Sequence, residues 1–189
     1  GSIYISDIGT TVAYSNFTHA HANTGGAITI DGVNTIISYC NINNNTATSA
    51  GAIKVSGSDS YISNCNISYN SATSGSGGAL DIGGERASVL YSYFSFNTAT
   101  GTGGAINWQG GHGNDSIIGT TFVNNSCTGQ PGGGAIFWTQ GNSMASGGLI
   151  RDCIFINNSA YAKHGGALNW YRTMDSTIDN CLFINNYAS

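Results

Sequence analysis

Residues 153–170, CIFINNSAYAKHGGALNW, place a cysteine, a histidine, a diglycine and a tryptophan within eighteen positions, a density that suits a metal or catalytic site. The whole chain carries five cysteines, four histidines, nine Asp plus Glu and five Lys plus Arg. Thiol and imidazole ligands could hold zinc, and paired carboxylates beside a cation could cleave a polyuronate by metal-assisted elimination or by acid–base hydrolysis. The three tryptophans could instead offer apolar faces to sugar rings. Which of these is available depends on what holds the residues in place.

The same pattern recurs along the chain. Alignment on Phe155 brings Phe17, Ile42, Ile67, Phe94, Phe122 and Phe183 into one column. Five residues earlier stands a β-branched aliphatic in every copy, from Val12 to Ile178; two residues earlier stands a small residue, Ser15, Cys40, Cys65, Ser92, Thr120, Cys153 or Cys181. Three residues later Asn45, Asn70, Asn97, Asn125, Asn158 and Asn186 align, with Ala20 the departure. A GGA-I/L motif follows at 25–28, 77–80, 103–106, 133–136 and 165–168, and as AGAI at 50–53. Its alanine slots, at 2, 27, 52, 79, 105, 135 and 167, set repeats of 25, 25, 27, 26, 30 and 32 residues.

Units of this length, β-rich, punctuated by Gly, Asn and Ser and without helical periodicity, cannot bury a core alone and must stack. The expected fold is all-β: a single-stranded, right-handed parallel β-helix of about seven coils of 25–32 residues. Each coil should give two or three short strands that pair in register with the next coil. The Phe155 column and the small column face inward, the asparagines bond amide to amide up the stack, and the diglycine allows positive φ and close backbone approach.

In that frame most reactive side chains acquire structural roles. Cys40 and Cys65 share a column in adjacent coils, as do Cys153 and Cys181. The in-register spacing of about 4.8 Å exceeds the roughly 3.5–4.5 Å between disulfide-bonded Cβ atoms, so buried thiols are expected. His19 and His21 form an HxH at a corner, remote from His112 and His164, which is too few ligands for zinc; no metal or other cofactor is expected. Lys54 with Asp81, and Arg151 with Asp179, should pair across neighbouring coils. The remaining acids are scattered, which argues against an enzyme.

Trp108, Trp138 and Trp170 stand where earlier coils have Ile30, Val55 and Ile82, so a widened core is their expected place, an exposed sugar platform the alternative. Phe137 lies in an outward, otherwise polar column and is expected to be exposed. Repeat length varies at one position, giving the loops QGGHGNDS (109–116), TQGNSMASGGL (139–149) and YRTMDST (171–177) along one corner of the last coils. Insertions on one face of a solenoid often build its binding face. The candidate ligand contacts are therefore Phe137, Trp138, Trp108, Trp170, His112, Tyr171 and Arg172.

Composition narrows the partners. Charged residues make up 7% of the chain against about 25% in an ordinary soluble domain, so Asn, Ser, Thr, Gly and Tyr must supply its polar surface, as on many extracellular proteins. A net charge of −4 leaves no footprint for nucleic acid, and no apolar run reaches the roughly 20 residues of a membrane-spanning helix.

The F/I-x-x-N motif followed by GGA-I/L resembles the repeats of chlamydial polymorphic membrane proteins and of the adhesin-like surface proteins of methanogenic archaea. The resemblance covers essentially the whole chain, and the form C-x-F-x-N-N-x-A…GGA is closer to the archaeal kind. It implies a non-catalytic, extracellular or cell-surface adhesin segment whose partners are surface glycans or proteins of another cell and further β-helix coils of the same protein. A carbohydrate-active β-helix, lyase or glycoside hydrolase, and a purely structural stalk are the alternatives. Both ends lack a cap in sequence, so residues 1–189 are expected to be part of a longer surface protein.

Overall fold

The computed structural model describes residues 1–110, 113–139, 147–161 and 164–189. They form four parallel sheets of seven strands each, and every strand pairs with its counterparts in the neighbouring coils. The first sheet follows the diglycine motif and runs from Ile3–Ile5 to Leu168–Tyr171; the second runs from Thr11–Ala13 to Thr177–Asp179. The third runs from Asn16–Thr18 to Leu182–Ile184, and the fourth from His21–Thr24 to Tyr187–Ala188. The register matches the sequence columns: Phe122 pairs with Phe155, Ile117 with Ile150 and Trp108 with Trp138. The chain is thus an all-β parallel solenoid, as expected.

Each coil has four strands rather than two or three, because it turns at four corners built alike. At each corner one residue adopts the left-handed conformation, with Asn34, Tyr39, Asn44 and Ala50 at φ of 56°, 53°, 57° and 56° in one coil. A single left-handed residue turns the chain sharply within two or three positions, which leaves room for strands of only two to four residues. At the diglycine the first residue carries the positive φ, and Ala50 shows that a methyl is held there. The second glycine lies where a Cβ would meet the next coil's backbone: 2.0 Å from the Gly104 oxygen at Gly78, and 2.1 Å from the Gly134 oxygen at Gly104.

The interior is a set of like-on-like stacks. Phe94, Phe122, Phe155 and Phe183 stack with ring centroids 5.1, 4.9 and 4.7 Å apart. Asn45, Asn70, Asn97, Asn125 and Asn158 are fully buried and bond Nδ2 to Oδ1 of the next rung at 2.9–3.0 Å. Each Nδ2 also donates to the carbonyl of the aromatic or aliphatic column one coil back, as Asn97 does to Ile67 at 2.9 Å. Each Oδ1 also accepts the preceding rung's backbone N–H, as Asn97 does from Asn70 at 3.0 Å. From Asn70 to Asn158 every carboxamide therefore makes two bonds as donor and two as acceptor, and Asn45, above Ala20, accepts one, which is what makes these polar groups tolerable at full burial.

Candidate functional site

The residues that could do chemistry are mostly absorbed by these stacks. All five cysteines are free, and Cys40, Cys65 and Cys153 donate to the carbonyl two residues back at 3.1–3.3 Å. Burial pushes the Cys65 and Cys127 thiols up to about 11 and Cys153 up to about 12, so they remain protonated and unreactive at neutral pH. The expected ion pairs form, Lys54 Nζ to Asp81 Oδ2 at 2.7 Å and Arg151 Nε to Asp179 Oδ2 at 3.0 Å. A third, unforeseen pair is the two-pronged contact of Arg86 with Asp59 at 2.7 and 2.8 Å. Its signal lay in the sequence: both residues stand three before the β-branched column. No group of three or more His, Cys, Asp or Glu that could hold a metal occurs among the described residues.

The structure corrects the aromatic candidates. Trp108 and Trp138 are fully buried and stack at 4.4 Å, with half-buried Trp170 at 5.2 Å from Trp138, so the first two offer no face to a ligand. Their column is core because it continues the aliphatics of the earlier coils, and Gly148 makes the room: a Cβ there would lie 2.8 Å from Trp170 Cζ2. Phe137, expected to be exposed, is only 7% exposed. The turn before the diglycine folds back over the outside of the first sheet, with Thr102 bonding Asn107 at 2.9 Å and Asn169 bonding the Pro131 carbonyl at 2.8 Å. Asp81 and Asn107, in the same outward column, are buried by the same fold-back.

Tyr171 and Arg172 do stand at the surface. Tyr171 is 47% exposed, and the Arg172 guanidinium lies 5.0 Å from its ring centroid. Beside them a hollow of about 500 Å³ is lined by Pro131, His164, Asn169 and Tyr171, with Asn169 the cross-strand neighbour of Phe137. His112 lies outside the described residues, as do parts of the loops 109–116 and 139–149. The described parts of the three loops all join the first sheet to the second, so they share one corner, as expected.

One buried acid sits at that corner. Asp115 is 1% exposed; its Oδ1 accepts the Ala87 N–H at 2.9 Å, and its Oδ2 has no partner among the described residues. Burial, with the Glu85 charge adding to it and the backbone bonds from Ala87 and Arg86 opposing it, raises the carboxyl to about 6. The folded chain therefore keeps this proton at a pH where the unfolded chain has released it. The contribution of this group is therefore greatest below the ordinary carboxylate range, falls as pH rises from about 4 to about 6, and is level above that. The loss is on the order of 2–3 kcal/mol, and Asp115→Asn should flatten the profile in urea titrations made between pH 4 and pH 7. An unchanged slope in the variant would assign the pH dependence elsewhere.

Two rows of exposed aromatics escaped the sequence reading. Tyr14, Tyr39 and Tyr91 lie three residues before the inward anchor, and Tyr69 and Phe96 lie two after it, at the corners flanking the third sheet. Their recurrence in two fixed columns was the available signal.

A four-sided parallel β-solenoid with an asparagine ladder and a neutral, aromatic-bearing exterior defines the class: a β-helical repeat protein. Within it, residues 152–169 match the family model of the Chlamydia polymorphic membrane protein (Chlamydia_PMP) repeat. The matched stretch is part of one coil, running from the Cys153 slot to the GGAL corner, and its columns recur in the other coils. The chain is in this sense similar to the polymorphic membrane protein repeats, as the F-x-x-N and GGA motifs suggested. No curated protein and no solved structure gives a significant match. Among the described residues no helix is long and apolar enough to cross a membrane.

Proposed function

We propose that this chain is a segment of a surface-exposed, adhesin-like protein that acts by attachment to glycans or proteins of another cell rather than by catalysis. The observation that carries the reading is the match of residues 152–169 to a surface-protein repeat whose columns continue through the whole solenoid. The corner around Tyr171 supports it: an exposed phenol ring and the Asn169 carboxamide line one hollow, and the Arg172 guanidinium lies over that ring. A ring face beside fixed polar groups is the usual composition of a small recognition site.

Binding of the purified chain to a glycan array and to fixed cells tests this. Tyr171→Ala and Arg172→Ala should each weaken binding about tenfold, the effect of losing a central aromatic or guanidinium contact. Release of reducing or unsaturated ends from a polyuronate would make the chain an enzyme, and absence of binding to every glycan and cell would make it a stalk.

A further inference from the structure

The two aromatic rows flank the outer face of the third sheet. On one side Tyr14 and Tyr39 stack at 4.9 Å with planes 5° apart, and Tyr91 follows two coils on. On the other side Tyr69 and Phe96 stack at 4.9 Å with planes 2° apart. Tyr93 stands between the rows, its column continues in the exposed carboxamides of Asn66 and Asn41, and Ser68 and Ser95 lie buried beside it, bonded to each other. The floor is already ordered, with Asn41 bonded to Asn16 at 3.0 Å and Ser68 to Asn66 at 2.7 Å.

These aromatics do not serve the fold. All five row residues adopt left-handed backbone, with φ of 52° at Tyr14, 53° at Tyr39, 56° at Tyr69, 48° at Tyr91 and 54° at Phe96. Bulky side chains are disfavoured there, whereas Asn and Gly are at ease. The same columns show what the corner prefers, mostly Asn and Gly, with Asn64, Gly119, Asp152 and Asn180 in one and His19, Asn44, Asn124, Asn157 and Asn185 in the other. The rings bury little in return, being 43–80% exposed. Strained backbone that carries an exposed ring is a mark of a functional surface. Gly119 adds to it: the Tyr91 ring lies across it, occupying the space 2.5 Å from where a Cβ would be.

We propose that this trough binds a linear, neutral polysaccharide, independently of the hollow at Tyr171. Stacked tyrosines present rigid amphipathic surface at low entropic cost, and their faces match the apolar faces of sugar rings. The carboxamide floor suits sugar hydroxyls, and none of the aromatic or carboxamide residues carries a charge, so an acidic polymer gains nothing there. Size excludes a folded protein as the natural occupant. Five residues separate the rows, at most about 16 Å, and the rows span four coils, about 20 Å with the rings, so the trough offers roughly 300 Å² where a stable protein interface takes about 800 Å² per partner.

Affinity electrophoresis of the full chain through gels holding a soluble mixed-linkage β-glucan, galactomannan, xyloglucan or polygalacturonate tests the proposal. At least one neutral polymer should retard the chain, and polygalacturonate should not. Tyr39→Asn, Tyr91→Asn and Phe96→Asn install residues that the same columns already hold, so folding is kept; each should weaken retardation about tenfold, while Ile8→Ala, at an exposed position on neither proposed surface, leaves it unchanged. Retardation by none of the neutral polymers, equal retardation by polygalacturonate, or undiminished binding by the three Asn variants would each overturn it.

Discussion

Asn125→Leu should lower the unfolding free energy by about 4–6 kcal/mol, whereas Asn124→Ala, one residue away, should lower it by about 1 kcal/mol. The two asparagines look alike in sequence and do opposite things. Asn124 turns the corner with its side chain partly in solvent and φ at 54°, so its loss removes only a left-handed preference. Asn125 is fully buried and joins three coils: Nδ2 donates to Asn158 Oδ1 and to the Phe94 carbonyl, both at 3.0 Å, and Oδ1 accepts from Asn97 Nδ2 at 2.9 Å and its N–H at 3.1 Å. Leucine keeps the volume and removes all four bonds, leaving two donors on Asn97 buried without partners. Each such orphan costs about 1–3 kcal/mol, which outweighs any apolar gain. Urea denaturation of the two variants checks the contrast. Equal losses in both would mean the ladder contributes no more than a corner does.

The columns that face inward were legible because they repeat by residue type: aliphatic, small, aromatic and asparagine recur at fixed spacing, and the structure pairs them as the alignment does. The corners were less legible because left-handed backbone admits Asn, Asp, Tyr, Arg, His, Ala and Gly, so the four-cornered coil hides behind varied residues such as Asn34, Asp59 and Arg86. Phe137 was misplaced for a different reason. Strand alternation correctly put it on the outer face, but the turn ending at Pro131 covers that face, and a covering segment from elsewhere in the coil leaves no trace in the local period. The exposed tyrosines were readable in principle. Their signal is weaker than that of the inward columns because it is not uniform: tyrosine alternates with asparagine in the same positions.

Gly104→Ala should cost about 4 kcal/mol and Gly103→Ala only about 1 kcal/mol, although the diglycine presents them as equals. At Gly103, with φ of 66°, an added Cβ would approach the Ile106 carbonyl three residues on in its own turn. That turn can shift with it, as the buried Ala50 at the same corner demonstrates. At Gly104 the Cβ would fall 2.1 Å from the Gly134 oxygen and 2.5 Å from the Ser126 oxygen, both backbone atoms of the next coil. Neither can yield alone, because Gly104 N–H bonds the Gly133 carbonyl at 3.2 Å and Ala105 N–H bonds the Ala135 carbonyl at 2.9 Å across the same gap. The coils must part, and those two bonds weaken together with the packing beneath them. In a solenoid each coil is held mainly by its neighbours, so the damage should stay at this one junction. Hydrogen exchange should show protection lost first at Gly104, Ala105 and Ile106, with the Asn45 to Asn70 rungs retained. Uniform loss of protection along the chain would show instead that the coils unfold as one unit.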